Sequence, residues 1–153
     1  MIRSQERLRL CGALLICDLI FIWGNSLMTA EISSAISDLA RQTVNLVLGI
    51  FPSANEESLK SDGVLRKIAH FTEFASLGLL LGWLFGMLQK RKIYPFLCGT
   101  AAACIDETIQ IFVPGRGPGI KDVCIDAGGV VTGMILLYLG YTCFKKKQSL
   151  EDN

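Results

Sequence analysis

Residues able to bind charge or move protons concentrate in two stretches of this chain. "RKIAHFTEF" (66–74) holds Lys67, His70 and Glu73, and "CIDETIQIFVPGRGPGIKDVCID" (104–126) holds Asp106, Glu107, Gln110, Arg116, Asp122 and Asp126. Lys67, His70 and then Glu73 or Phe74 recur at helical spacing, as do the pairs Asp106/Gln110 and Asp122/Asp126, each four residues apart. Each set therefore shares one helical face. Two chemistries follow. Arg116 offers a planar fork for a phosphate or carboxylate, and Gly117 and Gly119 beside it let a ligand come close to the backbone. His70 and the carboxylates are ligand types that suit a divalent cation. The balance of charge sharpens the question, because Glu73, Asp106, Glu107, Asp122 and Asp126 face only Lys67, Arg116, Lys121 and one histidine. In a low dielectric such a surplus favours protonation of a carboxyl or recruits a cation. A compact metalloenzyme motif such as HExxH is absent, and no serine or cysteine nucleophile stands beside a base. No metal site, cofactor or catalytic residue is assigned on the spacing alone, although a divalent cation is compatible with it.

These polar groups are set in an apolar chain. Of its 153 residues 51% are hydrophobic and 19% charged, below the ~25% charge of ordinary soluble domains. The apolar residues gather into four blocks, about 8–28, 68–88, 93–113 and 123–144. Each block is long enough, at ~1.5 Å rise per residue, to cross a hydrocarbon core of ~30 Å. The expected architecture is a single all-α membrane domain over 1–153, a bundle of four transmembrane helices. The first block, preceded by Arg3, Arg7 and Arg9, is too long for a signal-peptide core and lacks a convincing cleavage site, so it reads as a retained signal anchor.

Basic residues set the expected orientation. Arg3, Arg7, Arg9, Lys90, Arg91, Lys92, Lys145, Lys146 and Lys147 fall on one face, against Arg41, Lys60, Arg66, Lys67, Arg116 and Lys121 on the other. Nine against six, with Glu31, Asp38, Glu56, Glu57 and Asp62 on the poorer face, places both termini in the cytoplasm. "QKRK" (89–92) is then a tight inner turn, and the outer side receives a long loop, 28–63, and "VPGRGPGIK", 113–121. Ile32, Ile36, Leu39, Leu46, Leu48 and Ile50 in the long loop recur at roughly helical spacing, which predicts an additional interfacial amphipathic helix. Ser61 or Asp62 is placed to cap the helix that follows.

With this topology Asn25 and Ser26, at the end of the first helix, fall at the same depth as the two polar stretches. Ionisable groups within spans cost ~2.5–3.5 kcal/mol each at the bilayer centre, so they face a bundle interior or wet cavity and mark function. The competing reading is that the acids pair with Lys67, His70, Arg116 and Lys121 and merely hold the bundle together. Gly78, Gly82 and Gly86, and Gly129 and Gly133, form small-residue stripes for close packing within or between subunits. The six cysteines lie in or beside apolar blocks without CxxC spacing and read as small buried side chains. Asp18 stands near mid-membrane, where a relay role and a buried hydrogen-bonded acid are both open.

The combination of Lys67 and "HFTEF" from His70, "DETIQIFVPGR" from Asp106 and "KDVCIDAGGVVTG" from Lys121, with "GNS" at 24–26, resembles the VanZ-like family of small bacterial membrane proteins. That family is named for a member linked to low-level teicoplanin resistance. The resemblance runs from about Phe21 to Gly133. It implies a multi-pass protein of the bacterial cell membrane and carries over His70, Glu73, Asp106, Glu107, Gln110, Arg116, Asp122 and Asp126 as signature positions. It transfers no biochemical activity. Many members have tyrosine where this chain has Phe74.

The expected function is recognition, at an outer-leaflet pocket, of a polar headgroup on a lipid or lipid-linked envelope precursor, with an influence on glycopeptide sensitivity. A metal-dependent hydrolase or transferase acting on a lipid-linked phosphate and a scaffold or homo-oligomer built through the glycine stripes are the alternatives. The basic clusters are short and lack interleaved aromatics, which excludes nucleic acid as an expected partner.

Overall fold

The computed structural model describes residues 2–29, 62–117 and 119–151, together with 31–33, 35, 36, 39 and 43 of the first long connection. Four long helices follow in order, α1 (Ile2–Ser26), α2 (Asp62–Met87), α3 (Ile93–Ile111) and α4 (Ile120–Glu151). No strand occurs among the described residues. Three segments are long and apolar enough to cross a membrane, Ser4–Ser26, Arg66–Met87 and Ile120–Gln148. α3 is not among them, because Asp106, Glu107 and Gln110 dilute the hydropathy of its last turns.

α1 and α4 run beyond the apolar blocks predicted for them. Arg, Gln, Glu and Lys in those extensions are good helix formers, so nothing in the sequence stops the helix where the apolar run stops. The turns are set more sharply. α2 ends where Gln89 takes a left-handed backbone, φ 53°, and the Lys90 N–H returns to the Phe85 carbonyl at 2.9 Å. α3 ends just before Pro114, which disfavours helical backbone at the residue preceding it. Gly115 follows with φ 77°, a conformation that suits glycine, and the Arg116 N–H closes the turn onto the Val113 carbonyl at 3.1 Å.

The core is narrow and apolar. Leu15 and Ile22 of α1, Phe74, Leu77 and Leu81 of α2, Ala102 and Ala103 of α3 and Val130 of α4 are buried together. α2 and α4 touch backbone to backbone. A Cβ on Gly78 would collide with the Val130 carbonyl, and one on Gly133 with the Ala75 carbonyl. Small residues permit this approach, so Gly78, Gly129 and Gly133 are used inside the chain, while Gly86 faces open space. Ile16, Ile20, Leu97 and Leu136, each more than half exposed, are among the large apolar side chains on the outer faces. An outer surface this apolar is a liability in water but a lipid contact in a bilayer.

One sequence reading changes. Only Cys11 is buried; Cys17, Cys98, Cys104, Cys124 and Cys143 are exposed on the bundle's outer faces, and all six are free. Apolar residues in a span belong as readily to the lipid-facing surface as to the core, and periodicity did not separate the two. Asp18 has a partner, the Ser76 hydroxyl at 2.6 Å, which also lies 2.8 Å from the Glu73 carbonyl. In the long connection, residues 31–33, 35, 36, 39 and 43 are helical, with Ile32, Ile36 and Leu39 exposed. Leu46, Leu48, Ile50 and the Ser61 cap lie outside the described residues, as does the Asp62 side chain.

Candidate functional site

Helix direction decides what meets at one end of the bundle. The C-terminal turns of α1 and α3 and the N-terminal turns of α2 and α4 come together there, which joins Asn25 and Ser26, Arg66 to Glu73, Asp106 to Gln110, and Asp122 with Asp126. Polar contacts then link all four helices. Asn25 Nδ2 donates to Glu73 Oε1 at 2.7 Å, joining α1 to α2. Gln110 Nε2 faces three acceptors, Asp106 Oδ2 at 2.9 Å, Glu107 Oε1 at 3.3 Å and Ser26 Oγ at 3.5 Å. Arg116 Nη1 donates to the Ser26 carbonyl at 3.3 Å, so the hairpin folds back over the end of α1.

Glu107 ties α3 to the start of α4. Its Oε2 accepts the Gly119 N–H at 2.7 Å, while the Gly119 carbonyl accepts from Asp122 and Val123 in the first turn of α4. A carboxylate at a helix N-terminus is favoured both by its free N–H groups and by the helix dipole. Lys67 Nζ stands 3.8 Å from Asp122 Oδ1 at the surface, where both side chains are partly exposed. Deeper in, His70 Nδ1 lies 3.7 Å from Asp106 Oδ2.

Asp106, Gln110 and Asp126 are almost wholly buried, at 0%, 1% and 1% exposure. Both oxygens of Asp126, Oδ1 of Asp106, Oε2 of Glu73 and Nδ1 of His70 have no hydrogen-bond partner. Groups like these cost about 1–3 kcal/mol each when left unmade, so a cluster of them calls for an explanation. One ligand atom each from His70, Asp106 and Asp126 lies within 4.8 Å of the others. These three are the residues best arranged to hold a metal ion among those described.

A cleft opens over this cluster, lined by Arg66, Lys67, His70, Glu107, Gln110, Asp122, Ile125 and Asp126. Its enclosed space is about that of one water molecule. A whole headgroup does not fit inside; an ion or a water does. Burial, followed by the charge of Arg66, pulls the Arg116 guanidinium below its ordinary pKa, while Asp106, Glu107 and Glu73 push the other way. An arginine stays charged at neutral pH under such influences.

Every residue singled out as a pocket member, Lys67, His70, Glu73, Asp106, Glu107, Gln110, Arg116, Asp122, Asp126, Asn25 and Ser26, is placed at this end of the bundle. Lys121, counted among the balancing cations, is exposed and does not line the cleft. Arg66 does line it, and sequence reasoning used that residue only for orientation. The missed signal was its spacing, one helical turn before His70 on the same face. Phe74 is fully buried and its ring is packed in the apolar core.

The family model described as VanZ/LLP1 matches residues 12–141. The chain belongs to this family. The match takes in most of α1, the whole cluster of polar side chains and the larger part of α4. No curated protein and no solved structure matches the chain significantly.

Proposed function

We propose that this VanZ/LLP1 protein crosses the bacterial cytoplasmic membrane four times and binds the anionic headgroup of an envelope lipid or lipid-linked wall precursor. In this reading both termini are cytoplasmic and the polar end of the bundle lies at the outer leaflet. Membership of the family and three apolar helices support a membrane protein. α3 serves as the fourth span: its 19 residues reach about 28 Å, near the thickness of the hydrocarbon core. The polar turns of α3 then face the bundle rather than lipid, since Asp106, Glu107 and Gln110 are all buried.

One observation carries the headgroup reading. Arg66 and Lys67 stand at the mouth of a cleft whose floor is carboxylate and imidazole, with the Arg116 guanidinium over the adjoining end of α1. Nε of Arg116 is buried without a hydrogen-bond partner, a donor still open to an acceptor. A phosphate docking at the mouth meets those donors without entering the floor. Holding or presenting a wall precursor there would alter sensitivity to glycopeptides such as teicoplanin.

The test is Arg116→Ala at matched expression, with co-purified anionic lipids quantified by mass spectrometry and glycopeptide sensitivity measured in the same strains. Both should fall. Unchanged lipid retention would refute the reading. Metal-dependent transfer or hydrolysis at a lipid-linked phosphate is the second reading, favoured by the convergence of His70, Asp106 and Asp126. Turnover of such a precursor by the purified protein would decide for it.

A further inference from the structure

We infer that His70, Asp106 and Asp126 form a binding site for one divalent transition-metal ion, of the zinc or manganese class. Three helices supply one ligand each, α2, α3 and α4, so the site depends on the packed bundle and on no local motif. That is why no short sequence signature announces it.

Two observations beyond the presence of acids point to a bound cation. Asp126 is 1% exposed, and neither of its oxygens has a partner; Asp106 is 0% exposed, with Oδ1 likewise unpartnered. One oxygen from each of these carboxylates and a His70 nitrogen lie within 4.8 Å of one another. In a coordination sphere with metal–ligand bonds of ~2.1 Å, ligand atoms stand roughly 3–3.5 Å apart, so shifts of about 1 Å or less per side chain close the site. The second observation is charge. With all of them ionised, as a bound cation requires, Glu73, Asp106, Glu107, Asp122 and Asp126 outnumber Arg66, Lys67 and Arg116 by two.

The donor set selects among metals. Calcium and magnesium take oxygen ligands and favour sites without imidazole, whereas one histidine with two carboxylates suits zinc or manganese. Gln110 steadies the Asp106 carboxylate, its Nε2 donating to Oδ2 at 2.9 Å; such outer contacts fix a ligating carboxylate in place. The enclosed space, about that of one water molecule, suits a single ion. A metal here does not require a headgroup, and a headgroup held by Arg116 does not require the metal.

The experiment uses the full chain in detergent, stripped with a chelator, loaded with zinc or manganese, desalted and analysed for metal and co-purified lipid together. Wild type should retain about one equivalent per chain. Asp126→Asn and His70→Ala should each retain less than about a tenth of that, with helical content and elution volume unchanged. Cobalt loaded into the wild type should give visible d–d absorption bands from a mixed nitrogen and oxygen site, which needs no variant to fold. Wild type without retained metal and without cobalt bands overturns the site. Full retention by both variants overturns the assignment of these ligands. Lipid retained by metal-free wild type, with no metal taken up on loading, removes the metal and leaves the headgroup reading standing.

Discussion

Asp126→Asn should stabilise the metal-stripped protein and make it indifferent to metal. The side chain is 1% exposed and both its oxygens lack partners, so in the stripped protein it is a buried acid without compensation. An unmade buried hydrogen bond costs about 1–3 kcal/mol. Asparagine has nearly the same volume and adds an amide donor. Asp106, which brings one oxygen within 4.8 Å of an Asp126 oxygen and leaves Oδ1 unpartnered, offers that donor an acceptor. The expected gain is therefore about 1–3 kcal/mol, which for a chain of this length raises Tm by roughly 2–12 °C.

Trp23 and Trp83 give an intrinsic fluorescence signal for thermal unfolding in detergent after chelation. Adding zinc should reverse the order. A ligand at a hundred times its Kd stabilises the state that binds it by about 2.7 kcal/mol, and only the wild type should benefit. A fall in Tm for the stripped Asp126→Asn protein would refute the reasoning, because it would mean that favourable contacts hold the carboxylate. Equal zinc stabilisation of both proteins would refute Asp126 as a ligand.

Gly133→Val should lower the yield of folded protein, since its Cβ alone collides with the Ala75 carbonyl of α2 and cannot be relieved by side-chain rotation. Gly12→Ala, where a Cβ meets nothing within 4 Å, should instead be neutral or stabilising by up to about 1 kcal/mol through helix propensity, read as relative Tm. For topology, single cysteines in place of Lys92 and Arg116, each in a cysteine-free background, should differ in reaction with a membrane-impermeant maleimide on intact cells. Only the Arg116→Cys protein should label; labelling at Lys92→Cys would reverse the proposed orientation.

The polar end of the bundle was legible because two kinds of sequence information agreed. Helical spacing put His70 on a face with Lys67 and Glu73, and hydropathy put the ends of four apolar blocks at a common depth. Neither said which acid would be buried deepest. Asp122 and Asp126 share a face one turn apart, yet Asp122 is partly exposed beside Lys67 while Asp126 is 1% exposed under the cleft. That difference is set by depth along α4 and by the approach of α2, which Gly129 and Gly133 allow. Arg66 entered the sequence reading only in the count of basic residues that sets the orientation. It lines the cleft because α2 continues without a break through His70 and carries it over the same opening.

The same logic separates α3 from the other long helices. Its composition falls short for a lone span because one end carries Asp106, Glu107 and Gln110, all of them buried against neighbouring helices. A helix judged by its own hydropathy is being judged as though every face met lipid. Its exposed large apolar residues, including Ile93, Leu97, Ile105 and Ile111, recur along its length. The polar residues that lower its average are buried away from that surface, which is what the proposed fourth span requires. As a proposed span, α3 should depend on the bundle for its stability, and Val130, whose side chain fills the space at Gly99 of α3, is the contact on which that dependence falls most directly.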